Sequence, residues 1–414
     1  MTGGALHRVV VTGIGIVSPI GIGVADFWTN TLAGKIGVGP LTRFDPSEFN
    51  SHVAAQIDDF DPAAFLETKR LRRTDRFSQF TLVAAQLALD DAAAVIAGDG
   101  DDSGVWMGSA LGGLAFAEEQ HTAFRERGAR AVRPLLAISV FGGAATTNVA
   151  LAFGLHGPNV ANANSCAAGS VAIGEAFRAI ARGDVRAALA GGAEAPLSPL
   201  VFGAFAVIKA MSTRNDDPVH ASRPFDRDRD GFVMSEGAGV LFLERYEDAA
   251  ARGARPYGEI VGYGLTADAY HMTAPQPEGR GSARAMQHAM REARVGPDEL
   301  ELIDAHGSSS PLNDVTETAA IKRALGEGAY RVPVTGTKGQ HGHALGATGA
   351  WEAAISLLAI ARKRVPRTVN LEHVDPACDL DYVREDRVLA PRVVLSNSTG
   401  FGGINAALVV RAVE

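Results

Sequence analysis

The chain has 414 residues, of which 46% are hydrophobic and 21% are charged, and its net charge is −8. This composition is typical of a folded globular protein, and the length favours two domains or one large duplicated domain. The acidic balance excludes a nucleic-acid binder by bulk charge, and the chain shows neither a run of ~18–20 apolar residues for a membrane span nor an apolar leader.

Apolar strand-like runs alternate with alanine-rich helical stretches along the chain. The 3.6-residue spacing of apolar side chains predicts a helix over Phe77–Ile96. The alternation predicts an α/β fold whose strands are buried on both faces. Strands are predicted in HRVVVTGIGIVSPIG (His7–Gly21, as strand, turn, strand), GVWMGSA (from Gly104), VRAALAGGAEA (from Val185) and ELIDAHG (from Glu301).

One segment of the chain is repeated. The helical stretches Gly169–Val185 and Gly349–Val365 are related by an offset of 180 residues, and both contain the sequence AIAR. A match of this length could be chance, but a cysteine precedes the first stretch and a histidine precedes the second. The repeat therefore predicts two related halves, 1–250 and 251–414, with the boundary near Tyr246–Tyr257.

Cys166 lies in NVANANSCAAGSVAIGEA, where a strand turns into a helix. The two cysteines, Cys166 and Cys378, give no disulfide framework, so we expect a reduced, cytoplasmic protein in which a cysteine can be a nucleophile. The positive end of the following helix would lower the pKa of Cys166, and N–H groups of the turn could hold an oxyanion. The alternative is a buried, inert cysteine.

Histidines occupy two further motifs. His306 follows the strand of ELIDAHGSSSPLNDVTE, beside the hydroxyls of Ser308 and Ser310, with Asp314 and Glu317 one helical turn apart. Catalytic groups of α/β folds gather at such strand ends, although a single histidine is often structural. In GTKGQHGHALGATGAWEA, a glycine-rich loop carries Lys338, His341 and His343, which suits binding of a carbonyl and a carboxylate. Zinc would need more ligands, and the loop lacks the phosphate-binding signature.

The last motif, LSNSTGFGGINAALVV, places Phe401 in a glycine turn next to a final strand. Phe401 could close a pocket while its N–H points at an oxyanion, or it could simply plug the turn.

Taken together and in this order, these motifs resemble the ketosynthases of the thiolase superfamily over nearly the whole chain. The further segments SRPFDRDRDGFVMSEGAGVLFLE and DPACDLDYV also fall in family order. The resemblance is greatest to elongating Cys–His–His synthases of dissociated fatty-acid and polyketide pathways. It implies a duplicated thiolase-like fold layered α-β-α-β-α, and decarboxylative condensation of an acyl thioester with malonyl-acyl carrier protein to a 3-oxoacyl product.

The resemblance also implies roles for individual residues. Cys166 would carry the acyl chain, while His306 and His343 would bind the malonyl thioester carbonyl. Lys338 would support the histidines, held in turn by Asp314 and Glu317. The remaining positions are Phe401 as gate and oxyanion donor, Ser308, Ser310 and Gly402 for substrate binding, and Leu111 of GSALGGL at the bottom of the acyl pocket.

The expected partners also follow from the resemblance. The segment ETKRLRRTDRF is basic on an acidic chain, and its Lys69, Arg72 and Arg73 match the family's docking patch for acyl carrier protein; the alternative is a solvated helix face. We expect a homodimer or a heterodimer with a chain-length factor, no metal and no cofactor beyond the carrier's phosphopantetheine arm. Two other functions stay open, a chain-length-factor-like subunit and a thiolase-type acyltransferase.

Overall fold

The structure, a computed structural model, describes residues 6–94, 100–385 and 387–414. Its strands are β1 Val9–Ser18, β2 Gly21–Ile22, β3 Gly39–Pro40, β4 Val53–Ala54, β5 Ser103–Gly108, β6 Asn159–Asn162, β7 Ala187–Glu194, β8 Gly237–Arg245, β9 Gly258–Ala267, β10 Leu302–Asp304, β11 Val334–Thr335, β12 Val393–Gly400 and β13 Ile404–Arg411. Its α-helices are α1 Val24–Ala33, α2 Thr68–Leu71, α3 Arg76–Asp91, α4 Leu114–Arg127, α5 Leu136–Ser139, α6 Ala144–Phe153, α7 Ala168–Arg182, α8 Pro199–Val207, α9 Tyr246–Ala251, α10 Arg280–Ala293, α11 Pro311–Leu325, α12 Lys338–His341 and α13 Thr348–Arg362.

The strand order shows the duplication directly. The large sheet runs β11-β10-β12-β13-β9-β1-β8-β7-β5-β6. Apart from β2, which pairs with β1, each half of the described sheet has two antiparallel pairs next to the centre and two parallel pairs towards the edge. Antiparallel pairing of β1 with β9 joins the halves. The two halves therefore correspond strand by strand from the centre outward. The first half runs β1, β8, β7, β5, β6, and the second half runs β9, β13, β12, β10, β11.

Helices and strands form the five layers that the resemblance implies. One outer layer has α3 against β1 and β8, and the other has α10 against β9 and β13. The helices α7 and α13 lie between the halves and contact strands of both. These helices belong to the largest apolar cluster, which includes the fully buried Trp351. The predicted layered α/β fold is confirmed.

The two central helices repeat each other in backbone detail. Each is 15 residues long and follows a short 3₁₀ turn, Ser165–Ala167 or Leu345–Ala347. Ser165 and Leu345 both have positive φ, 49° and 42°, which costs a non-glycine residue roughly 1–3 kcal/mol. All these positions are related by the offset of 180 residues found in the sequence, so the repeat is a structural one.

The predicted elements are largely present. The helix predicted over Phe77–Ile96 is α3, which ends at Asp91, and Val95 and Ile96 lie outside the described residues. The glycines of the first strand serve packing, because a Cβ at Gly13 would lie 2.0 Å from the carbonyl oxygen of Ala88 in α3. The boundary segment contains the short helix α9. In the described part of the chain, no helix is both long and apolar enough to cross a membrane.

Candidate active site

Cys166 lies in the strained turn between β6 and α7. The end of β12 packs on this turn so closely that a Cβ at Gly400 would lie 3.0 Å from the backbone nitrogen of Cys166. A side chain there would need the turn to move by a few tenths of an ångström. The next residue, Phe401, brings its N–H within hydrogen-bonding reach of the Cys166 sulfur. Two segments more than 230 residues apart thus meet at one thiol.

The charge state of Cys166 differs from the sequence expectation. The side chain is partly exposed to a cavity but surrounded by protein, and this burial raises the pKa of the thiol to about 12. The charge of Lys338 and the N–H of Phe401 act in the opposite direction but do not outweigh burial. The expected lowering by the helix end does not dominate, and the thiol is protonated at neutral pH.

Two histidine rings from the second half lie next to each other at this cavity. His306 follows β10, and His343 lies in the loop between α12 and α13. Their ring centroids are 5.2 Å apart, with an angle of 85° between the ring planes. Burial and the nearby Lys338 hold the pKa of both histidines well below the ordinary value. Both imidazoles are therefore neutral, and each has one N–H to donate.

Lys338 lies behind His306 and is completely buried. Its ammonium group donates to the carboxylate of Glu352 and to the carbonyl oxygen of His306, and its Nζ lies 3.4 Å from Nδ1 of His306. Because an ammonium group only donates, Nδ1 of His306 must accept, and the ring proton is on Nε2. Nδ1 of His343 lies 3.1 Å from the hydroxyl of Thr348, in the first turn of α13.

The expectation that Asp314 and Glu317 hold the lysine is corrected by these contacts. Glu317 accepts the backbone N–H groups of His306 and Gly307 at 2.7 and 2.8 Å. Asp314 accepts the N–H of Phe225 at 2.8 Å. Both carboxylates shape the loop after β10, while Glu352 on α13 is the partner of the lysine. Sequence reasoning missed Glu352, although a single acid in the otherwise apolar or small stretch Gly349–Ile360 was a usable signal.

A cavity of about 300 Å³ is lined by six of the predicted residues. Leu111 and Gly402 lie outside its wall: Leu111 belongs to an adjoining apolar cluster with Cys166, and Gly402 donates its N–H to the carbonyl oxygen of Met272 at 2.7 Å. The predicted residues in the wall are Cys166, His306, His343, Ser308, Ser310 and Phe401.

The wall of this cavity contains hydroxyl and aromatic groups. Ser308 and Ser310 have their hydroxyl oxygens 3.0 Å apart, and Ser310 also caps α11 by accepting the N–H of Asn313. The ring of Phe401 stacks on Phe205 with centroids 6.1 Å apart. Phe205, which sequence reasoning missed, belongs to α8, where its apolar neighbours conceal any special role.

The basic segment lies apart from the cavity wall. Lys69, Arg72 and Arg73 are exposed at and just after α2, whereas Arg76 turns inward to the buried carboxylate of Glu236 at 2.8 Å. Arg133 extends the basic surface, because its guanidinium donates to the carbonyl oxygen of Arg72 at 3.4 Å. Among residues 6–94, 100–385 and 387–414, no group of three or more His, Cys, Asp or Glu side chains is placed to hold a metal ion.

Known proteins resemble this chain over nearly its full length. It is 48% identical over 406 residues to a 3-oxoacyl-[acyl-carrier-protein] synthase 2 of Synechocystis sp., covering 98% of both chains. It is 44% identical over 409 residues to the synthase of the same name from Coxiella burnetii, covering 98% of this chain and 99% of the relative.

Solved structures agree. A β-ketoacyl synthase from Burkholderia phymatum superposes with a TM-score of 0.91 at 37% identity, over 99% of this chain and 100% of the other. A type II polyketide ketosynthase, solved in complex with its acyl carrier protein and bound to the hexaketide, has the same TM-score at 36% identity, with the same coverage.

Two family models match most of the chain. The model of the β-ketoacyl synthase N-terminal domain matches residues 6–249, and that of the C-terminal domain matches residues 257–372. The chain therefore belongs to the β-ketoacyl synthase family.

Proposed function

We propose that Cys166 carries the growing acyl chain and that His306 and His343 bind the malonyl thioester during decarboxylative condensation. The observation that supports this most is the convergence of these three side chains, and of the Phe401 N–H, on one cavity. The product is a 3-oxoacyl thioester, as the names of the similar synthases describe for those proteins.

Each step can be assigned to a group of the site. The Cys166 sulfur attacks the acyl thioester, and the N–H groups of Cys166 and Phe401 hold the oxyanion. The thiol proton passes to the carrier's departing thiolate. The malonyl thioester then loses CO₂, and the electron pair of the broken C–C bond forms an enolate. Its oxygen accepts the N–H groups of His306 and His343. The enolate carbon attacks the acyl-cysteine, and the released thiolate of Cys166 takes up a proton.

Neutral imidazoles suit this reaction because their buried N–H groups are fixed before the charge develops. Losing one such donor typically lowers a rate by ~10²–10³. Lys338 and Glu352 act behind the ring of His306, where they hold its tautomer. A thiol and two imidazoles can perform every step, so we propose that the protein uses no metal and no cofactor besides the carrier's arm.

We further propose that both substrates arrive on acyl carrier protein. The type II polyketide ketosynthase with TM-score 0.91 was solved with such a carrier. The exposed Lys69, Arg72 and Arg73, together with Arg133, offer positive charge to an acidic partner. Ser308 and Ser310 line the cavity, where their hydroxyls can bond the amide groups of the carrier's arm.

A second protomer, identical or a chain-length factor, is proposed at β6. This strand is at the edge of the large sheet and is exposed, including Val160 at 41%. An exposed edge strand offers unpaired backbone groups to another strand, and exposed Val140, Phe141 and Leu151 supply apolar side chains nearby in sequence. Native mass measurement should give a dimer; a monomer at micromolar concentration contradicts this proposal.

The central experiment tests where the acyl group is held. Incubation with acyl-acyl carrier protein should add one acyl mass to the wild-type chain and none to Cys166→Ala. Cys378→Ala is the matched control, because that second thiol is fully buried away from the cavity, and it should be acylated normally. Cys166→Gln keeps both histidines and should retain malonyl decarboxylation. An acyl adduct on the Cys166→Ala variant would disprove the assignment.

A further inference from the structure

The duplicated fold contains a second, altered copy of the catalytic turn. Gly346 in the second half corresponds to Cys166, because the 3₁₀ turns Leu345–Ala347 and Ser165–Ala167 are equivalent. Glu194 at the end of β7 corresponds to Gly400 at the end of β12. Where Gly400 packs on the Cys166 turn, the Glu194 side chain therefore packs on the Gly346 turn.

Glu194 is fully buried and its four hydrogen-bond donors are all neutral. Oε2 accepts the N–H groups of Gly346 at 3.0 Å and Ala110 at 2.8 Å. Oε1 accepts the Leu111 N–H at 3.1 Å and the Ser109 hydroxyl at 2.9 Å. The N–H of Gly346 is the counterpart of the Cys166 N–H. The Glu194 carboxylate therefore lies where a substrate oxyanion would lie at the Cys166 turn.

Three of the four donors belong to one segment, Ser109–Leu111. The Ser109 hydroxyl also accepts the N–H of Gly112 at 2.8 Å, which closes the turn after β5. Ala110 and Leu111 pack in the same apolar cluster as Cys166 and Phe205. The buried carboxylate therefore fixes a segment whose side chains border the thiol that receives the acyl chain.

We propose that Glu194 is a positioning residue that holds Ser109–Leu111 against the Gly346 turn and thereby limits the length of acyl chain accepted on Cys166. The proposal rests on the proposed function, since it requires an acyl chain on that thiol. The carboxylate offers two acceptor oxygens to four donors. A glutamine offers one oxygen, and its NH₂ would face N–H groups, so the segment would loosen while the side-chain volume stays the same.

The experiment compares loading rates of short and long acyl chains on acyl carrier protein, followed by the acyl mass on Cys166. In Glu194→Gln, the long-to-short ratio of kcat/KM should rise about tenfold, as expected for the loss of one or two buried hydrogen bonds. Glu236→Gln is the matched control. Glu236 is also a buried acid, but it accepts hydrogen bonds from the Ile57 N–H and from the guanidinium groups of Arg43 and Arg76, and none from Ser109–Leu111. This variant should leave the ratio unchanged.

A second measurement separates positioning from general damage. Amide hydrogen exchange at Ala110 and Leu111 should accelerate in Glu194→Gln and not in the control. If Glu194→Gln does not fold, Ser109→Ala removes one donor and should shift the ratio in the same direction by less. An unchanged ratio, or an equal loss for all chain lengths, overturns the inference. An absence of acyl mass on wild-type Cys166 with every chain would instead overturn the proposed function.

Discussion

Reversing two charges that directly follow α2 tests the carrier-protein proposal without knowledge of the acyl chain. The change is Arg72→Glu with Arg73→Glu, and both side chains are exposed. Exposed charges act over about one Debye length, which is ~8 Å at physiological salt. At that separation in water, two unit charges interact by ~0.5 kcal/mol when salt does not screen them. Reversal replaces attraction by repulsion, so each substitution costs ~1 kcal/mol, and the pair should lower kcat/KM for acyl-acyl carrier protein about 30-fold at low salt.

The assay measures kcat/KM with carrier-bound and with small pantetheine thioesters over a range of salt concentrations. The loss should appear mainly in KM, should be confined to carrier-bound substrates and should shrink as salt screens the charges. Arg280→Glu with Arg284→Glu is the matched control, because it makes the same change of net charge on the exposed face of α10 in the other half. Equal losses with both kinds of substrate would show that the segment is structural and would refute docking there.

Four further predictions concern the interior. His343→Ala should slow malonyl decarboxylation by ~10²–10³ with little effect on acylation of Cys166, and condensation at the wild-type rate would contradict the donor role. Leu111→Ala should admit longer acyl chains, which product analysis by mass spectrometry would show; an unchanged product profile counts against it. Lys338→Met alone should lower the free energy of unfolding, measured by denaturant unfolding, by about 3–5 kcal/mol, because it leaves the Glu352 carboxylate buried without its partner. Adding Glu352→Leu should restore much of this stability but should not restore decarboxylation, measured as CO₂ release. Burial raises the pKa of Glu194 from 4.5 to about 7, because it outweighs the four donors that favour the carboxylate, so ionising this side chain costs the folded state stability. The free energy of unfolding should therefore be highest below pH 4.5 and fall by ~3 kcal/mol as the pH rises through 7. Glu194→Gln should remove this decline, and an identical pH dependence in both proteins would refute it.

Local patterns were sufficient for the α/β class and for the repeat, whereas the five-layer arrangement was implied by the resemblance to ketosynthases. Glycine turns before alanine-rich helices marked both central helices, and apolar runs marked the strands. The cavity residues were also predictable, since Cys166 and His306 lie in or next to turns at strand ends. The pairing of Lys338 with Glu352 was not, because it depends on how α12 and α13 pack, and acids near the lysine's motif in sequence were poor guides to its neighbours in space. The protonated state of Cys166 was missed for a related reason: burial around the thiol is a property of the assembled halves.

The position of β13 has a consequence for how the protein becomes active during synthesis. This strand lies inside the sheet, between β12 and β9, so the second half cannot close until residues 404–411 have been made. Phe401 and Gly400 reach the Cys166 turn through the hairpin that β13 forms with β12. A nascent chain that ends before Phe401 therefore lacks the N–H group that we propose as an oxyanion donor, although Cys166 has already been made. The site proposed for acyl transfer is therefore complete only after distant parts of the polypeptide have met, so the onset of activity would report that both halves have folded.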